Sequence, residues 1–351
     1  MENKLIMSAS PHVGSSLTTK KIMQCVTIAL LPATLAGVIA FGLYPLLVVL
    51  VSVASSIGAE FVYCKLTKKP NTIDDWSAVV TGLLIALNMP PVLPLYVPII
   101  GSVFAIVLVK MLFGGLGKNF ANPAITARIF LVLSYTKYMT TYVAPVNYSN
   151  GVFSALTQYF RGFGTNIDAY TSATPLGLLK DNVVNGADNS VNLFNMFIGN
   201  IGGSLGEVSA LALIIGGVFL IAKKIIDWKI PFFYLSTVTI LTYLFYPNGI
   251  DYVLPMLFGG GVMIAAFFML TDYASSPNTP LGIIIFSIGA GLITVLIRRF
   301  GGYPGGVSFA ILLMNLLVPL LDKYIIPKRF GVKVDLKKWF NKEKEGSNEK
   351  V

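Results

Sequence analysis

Long apolar runs separated by short polar loops set the pattern of this chain. Residues 22–59 carry no charge at all. That run is too long for one crossing of a bilayer, which takes ~20 apolar residues at ~1.5 Å each. Gly42-Leu43-Tyr44-Pro45 interrupts it, and Gly and Pro are the strongest breakers, so two helices are expected. Trp76–Asn88 is a shorter run that stops at Met89-Pro90-Pro91. Val92–Val109 and Ala121–Tyr135 follow. After a long polar stretch come Leu205–Ala222, Ile230–Tyr246, Tyr252–Leu270, Leu281–Ile297 and Gly306–Leu321. The pattern predicts an all-α polytopic membrane protein with about ten transmembrane helices.

Weak internal repetition divides these segments. Val109-Lys110-Met111-Leu112-Phe113-Gly114-Gly115 precedes Asn122-Pro123, and Pro255-Met256-Leu257-Phe258-Gly259-Gly260 precedes Pro277-Asn278. A Pro/Asn break comes before each copy, at Asn88-Met89-Pro90 and Tyr246-Pro247-Asn248. Five segments per half make the second half inverted. Inverted repeats with broken helices are a transporter device, and the backbone groups freed at each break must line a cavity or pack in protein. Plain kinking between packed helices is the competing reading. The expected division is a leader at 1–21, a first five-helix repeat at 22–135, an extracytoplasmic loop at 136–197, a second repeat at 198–322 and a basic tail at 323–351.

Composition strengthens this picture. Of 351 residues, 55% are hydrophobic and only 12% charged, about half the usual ~25%, which excludes a disordered chain or an ordinary soluble enzyme. The net charge of +10 does not indicate nucleic acid, because the basic residues collect in short loops and in the tail. With the N-terminus inside, 21 of the 26 basic residues fall on the cytoplasmic side, as the positive-inside rule requires. Lys110, Lys118 and Arg128 count there as one inside loop. Lys137, Arg161, Lys180, Arg298 and Arg299 fall outside. The Arg298-Arg299 pair is the awkward point: it serves a site, or the ninth segment is misread. The leader has no apolar core of a signal peptide. Cys25 and Cys64 read as thiols in apolar surroundings. His12 is the sole histidine, which argues against His-based metal or Ser-His-Asp sites.

The outside loop holds the most specific chemistry. Asp168-Ala169-Tyr170-Thr171-Ser172-Ala173-Thr174-Pro175 precedes an apolar run. Thr174-Pro175 reads as an N-cap followed by proline at the first helical position, and a helix N-terminus suits a phosphate. The segment Asp168 to Thr174, with Ser172 and Ala173, resembles the motif that flavin transferases recognise. Gly117-Lys118-Asn119-Phe120-Ala121-Asn122-Pro123-Ala124 and Gly302-Tyr303-Pro304-Gly305-Gly306 through Asn315 resemble the D subunits of Rnf electron-transport complexes and the related B subunits of sodium-pumping NADH:quinone reductases. The resemblance runs from about Lys20 to Lys323.

The resemblance implies a flavin-carrying subunit of a pump that passes electrons from ferredoxin to NAD⁺ and exports Na⁺ or H⁺. It implies FMN bound covalently to Thr174 by a phosphoester, and a second, non-covalent flavin, riboflavin or FMN, near Asn119 and Asn122. Amide side chains can both donate and accept at a flavin edge, though both residues could simply cap the helix that starts at Pro123. Ser275, Ser276 and Asn278 are weaker candidates by repeat position. The implied partners are the A, B, C, E and G subunits of the Rnf complex, a flavin transferase and membrane lipid. The implied location is the bacterial cytoplasmic membrane, with both termini inside and the flavin loop outside. No cysteine cluster for iron–sulfur and no strand-linked GxGxxG is present, so ferredoxin and NAD⁺ would bind neighbouring subunits. Charges at the membrane edge are functional candidates. Glu60 and Asp272 are taken for the ion path, with snorkelling as the plain reading of Glu60. Asp251 and Glu207 read as interfacial. A secondary transporter or channel for a small solute, without redox cofactor, is the alternative. A structural scaffold would leave the Asp168–Thr174 motif without a purpose.

Overall fold

The computed structural model describes residues 18–70, 72–148, 151–161, 173–185, 191–247, 249–302 and 305–325. Residues 1–17 of the leader, 326–351 of the tail, Asp168 and Ser172 lie outside them. The described residues form helices and loops: α1 (Thr19–Phe41), α2 (Tyr44–Leu66), α3 (Ser77–Leu87), α4 (Tyr96–Met111), α5 (Pro123–Ser134), α6 (Thr136–Thr140), α7 (Val152–Arg161), α8 (Pro175–Asn185), α9 (Leu193–Ile198), α10 (Ala210–Ala222), α11 (Lys229–Phe245), α12 (Gly249–Phe258), α13 (Val262–Met269), α14 (Pro280–Phe300) and α15 (Val307–Tyr324). Four of them, α1, α2, α14 and α15, are long and apolar enough to cross a membrane alone. The bent pair α12–α13 reaches that length and apolarity only when its two helices are taken together, as a broken span or a re-entrant loop. Outward faces such as Ile28, Leu35 and Ile39 on α1 are apolar and exposed, as expected for helices solvated by lipid. The chain is a polytopic helical membrane protein.

Each segment expected from the sequence lies on a helix, but several are too short to span. α3 has 11 residues, about 16 Å of helix against ~30 Å of hydrocarbon. Nearly all of it is buried, so its broken end meets protein and not lipid. Gly206 N–H donates to Leu87 C=O at 2.7 Å and Leu205 N–H to Met89 C=O at 2.9 Å. A neighbouring loop thus satisfies carbonyls that the Met89-Pro90-Pro91 stop leaves open, which the membrane interior would otherwise penalise heavily.

Gly42-Leu43-Tyr44-Pro45 breaks the first run as expected. α1 ends on Gly42 at φ +82°, and α2 starts with Pro45 in its first turn. Each Met-Leu-Phe-Gly-Gly copy leads into a glycine turn, but the helix before it ends at a different residue of the copy and the turn comes one residue later in the second. α4 ends at Met111 and turns through Gly114 and Gly115 at φ +111° and +92°. α12 ends at Phe258 and turns through Gly260 and Gly261 at +62° and +70°. Left-handed backbone there needs glycine. Hydropathy reads Tyr252–Leu270 as one run, but this turn bends α12 against α13 by 63°. The second half of α4 and the end of α13 are π-helical, a form frequent at functional sites. Close approaches hold the bundle: a Cβ on Gly216 of α10 would sit 2.1 Å from Ala29 O of α1. Cys25 and Cys64 are both free thiols.

Arg298 is a helix residue, not a loop charge. It lies buried in the last turn of α14. Its guanidinium donates to Met256 O at 2.6 Å, Gly259 O at 2.9 Å, Gly260 O at 2.8 Å and Gly305 O at 3.1 Å. Three of those carbonyls belong to the α12–α13 break, so the cation replaces the N–H groups that the break removes. Arg299 donates to Phe245 O at 3.2 Å. The Arg298→Lys chain keeps the charge but replaces a five-donor fork by a compact ammonium. With charge-assisted bonds worth roughly 1.5–3 kcal/mol each, its detergent-solubilised melting temperature is expected to fall by several degrees. An unchanged melt would remove this role from Arg298.

Candidate functional site

Two cavities lie at opposite ends of α5 and α13. One is bordered by Thr174 and the other by Asn119 and Asn122.

Thr174 does what its sequence suggests. Its Oγ1 accepts from Gly177 N–H at 3.2 Å, so it caps α8, and Pro175 takes the first helical position. The residue is partly exposed beside exposed Ala173, and both border a cavity of about 300 Å³ with Thr140, Tyr142, Gly177 and Gly305. Arg128 reaches this cavity from α5. A smaller cavity of about 50 Å³ adjoins it, lined in part by Arg128, Tyr142, Thr174, Glu207 and Gly260. Arg128 Nη1 donates to Asn88 Oδ1 at 2.7 Å, and Nη2 pairs with Glu207 Oε1 at 3.1 Å. Glu207 is therefore the mostly buried partner of an arginine. Arg128 leaves the inside loop to which charge counting assigns it. It sits within the fifth apolar segment, and a charge in an apolar run is the available signal.

Asn119 and Asn122 meet at the other cavity, of about 80 Å³. Its wall includes Ser77, Lys110, Thr271 and Asp272. Asn122 caps α5, accepting from Ala124 N–H at 3.0 Å and Ile125 N–H at 3.4 Å, and its Nδ2 donates to Met269 O at 3.4 Å. Asn119 is different: its Oδ1 is buried without a hydrogen-bond partner. A buried orphan acceptor is costly, so this carbonyl oxygen suits a donor supplied by a ligand. Ser275 and Asn278 have other partners. Ser275 O accepts from the Asn315 amide at 3.1 Å, and Asn278 donates to Asp322 through its backbone N–H and its Nδ2, both at 3.1 Å. Neither these two nor Ser276 borders the cavity. Asp272 accepts from Ser275 Oγ at 3.1 Å and Ala274 N–H at 3.4 Å. Desolvation by burial pushes its carboxyl above the ordinary carboxylate range, against those two bonds.

Glu60 does not snorkel. It is fully buried on α2, with Lys110 Nζ of α4 at 2.7 Å. Lys110 also donates to Ser77 Oγ at 2.5 Å, Thr72 Oγ1 donates to Glu60, and Ser77 Oγ donates to Asp75. A chain of polar groups thus runs from the edge of α2 to the cavity wall. The pairing joins residues 50 positions apart, so no local pattern announces it. Lys110, like Arg128, is not a loop charge. Asp251 is exposed in the first turn of α12.

This is a helical membrane protein with two cavities set between broken helices, each lined by a carboxylate-held cation. It belongs to the NQR2, RnfD, RnfE family, whose model matches residues 6–331. It is 46% identical to the D subunit of the Na(+)-translocating ferredoxin:NAD(+) oxidoreductase complex of Acetobacterium woodii, over 94% of this chain and 96% of that one. It is 41% identical to the D subunit of the proton-translocating ferredoxin:NAD(+) oxidoreductase complex of Clostridium ljungdahlii, over 95% and 98%. The D subunit of the ion-translocating oxidoreductase complex of Shewanella amazonensis is 38% identical, over 93% and 97%.

Proposed function

We propose that this chain is the D subunit of a redox-driven ion pump. It would relay electrons between ferredoxin and NAD⁺ inside a larger membrane complex and take part in Na⁺ or H⁺ export. The observation that carries the reading is the Thr174 hydroxyl at the rim of a 300 Å³ cavity, in a family whose relatives are named as subunits of such pumps. A cavity of that size reaches the lower end of the ~300–1,000 Å³ range of ligand sites. FMN attached to the Thr174 oxygen would lie along it, and one-electron and two-electron transfer would be the chemistry the flavin supplies. Ala173 shares the rim, and Asp168 and Ser172 complete the recognition motif for a flavin transferase.

At the other end, the orphan Asn119 Oδ1 and the Asn122 Nδ2 hydrogen left over from its bond to Met269 O would meet the hydrogen-bonding edge of a second, non-covalent flavin, riboflavin or FMN. The 80 Å³ there holds a ring edge and not a whole ring system. The remainder would be covered from outside this chain. Asp272 at that cavity and Glu60 behind Lys110 are the carboxylates for the ion's route. A glycine turn after each Met-Leu-Phe-Gly-Gly copy, though offset by one residue, supports two inverted five-helix repeats and ten crossings, divided as the sequence suggests. Both termini would then be cytoplasmic and the Thr174 loop extracytoplasmic, in the bacterial inner membrane. The A, B, C, E and G subunits would be the neighbours.

Membranes from cells that lack this chain are expected to lose ferredoxin-dependent NAD⁺ reduction and the ion uptake coupled to it. Restoring the chain together with a flavin transferase should return both, with a flavin-fluorescent band after denaturation. Solute flux through the isolated chain, with no redox partner and no bound flavin, would instead support the transporter reading.

A further inference from the structure

Each cavity is bordered by a cation that a carboxylate clamps. Lys110 with Glu60 serves the Asn119 cavity and Arg128 with Glu207 the Thr174 cavity. The third ion pair among the described residues, Lys229–Asp227, is about one-third exposed and borders neither. Of the clamped cations, Arg128 faces the better-formed site. Its side chain is only 14% exposed, so water screens it little. Its charge is permanent, and two of its five N–H donors go to Asn88 and Glu207. Glycine at the α12–α13 break makes the clamp possible. A Cβ on Gly261 would lie 2.8 Å from Glu207 Oε1 and 3.7 Å from Arg128 Nη1.

We propose that Arg128 sets the redox potential of the electron carrier attached at Thr174, with Glu207 and Asn88 as its positioning partners. This rests on the reading of Thr174 as the attachment point. Electrons arriving at the site add negative charge, and electrons passed on remove it. A fixed cation in a poorly screened cavity favours the electron-loaded state, which is one of the protein's levers on a cofactor. Glu207 opposes that effect while it aims the guanidinium. A pair that merely tied α5 to the loop before α10 would hold its two members for packing alone. Losing either would then loosen the fold in the same sense and leave the potential where it was.

The signs separate the two roles. The assembled complex is titrated potentiometrically while the Thr174-bound flavin is followed by absorbance. Flavin load is checked by fluorescence after denaturation. Arg128→Gln is expected to move the midpoint to more negative values and Glu207→Gln to more positive ones. Arg128→Lys should stay nearer the parent than Arg128→Gln, and all three should keep their flavin. Midpoints that do not move, or that move the same way in the Gln variants, overturn the proposal. Should Arg128→Gln fail to assemble, the direction seen in Glu207→Gln decides alone. A parent chain whose intact mass shows no flavin on Thr174 overturns the attachment reading first, and this proposal with it. That result is visible before any titration.

Discussion

A Thr174→Ala chain, produced with its flavin transferase, is expected to run as a non-fluorescent band after denaturation, while the parent band glows. Its intact mass should lack the increment of one FMN less water. The argument has two independent parts. Thr174 Oγ1 is the cap of α8 through Gly177 N–H, and it stands on the rim of the 300 Å³ cavity. Substitution by alanine removes both the cap and the nucleophile. The cap alone is worth ~1 kcal/mol, which would loosen α8 without unfolding a bundle held by long packed helices. Thr174→Asn separates the two effects, because asparagine is as good a cap as threonine or better but offers no hydroxyl. It is expected to melt like the parent and still carry no covalent flavin. Electron transfer through the assembled complex should be lost in both variants. Fluorescence that survives in Thr174→Ala would remove Thr174 as the attachment point. Fluorescence lost in Thr174→Ala but kept in Thr174→Asn would show that only the helix cap matters.

The elements that can be read from the chain are those whose cause is local. Gly42 and Pro45 stop and restart a helix by backbone chemistry alone, and Thr174-Pro175 announces the start of α8 in the same way. Apolar runs of about twenty residues mark α1 and α14 because lipid imposes that length. Apolar content does not report a bend, however. Tyr252–Leu270 looks like one crossing, and only the run Gly259-Gly260-Gly261 hints at its 63° break. Charge counting also misplaces residues whose partners are remote. Arg128 and Lys110 count as loop charges, yet each is held by a carboxylate from another part of the chain, Glu207 and Glu60. Arg298 looks awkward outside because sequence cannot show that the carbonyls of Met256, Gly259 and Gly260 converge on it. Of the two asparagines, Asn122 follows the simple rule for a residue before Pro123, while the unpaired oxygen of Asn119 is visible only once its surroundings are assembled.

The largest effect on stability is expected at Lys110. Its ammonium and the Glu60 carboxylate are almost fully buried, 2.7 Å apart, with Ser77 and Thr72 completing their hydrogen bonds. Removing one member of such a pair leaves the other charge uncompensated, a loss of about 3–5 kcal/mol in comparable cases. Replacing both by neutral groups of similar shape costs far less, since the desolvation of each ion disappears together with their attraction. Lys110→Met is therefore expected to melt well below the parent in detergent. The Lys110→Met, Glu60→Gln double variant should recover most of the loss, and the difference gives their coupling directly. The double variant also bears on transport. If Glu60 serves only to hold Lys110, the assembled complex with both neutralised should pump ions as the parent does. If Glu60 lies on the ion's route, electron transfer and ion export should come apart in a complex that is otherwise well folded. A Lys110→Met chain as stable as the parent would mean that the pair is solvated in the working protein and that its burial carries no energetic weight.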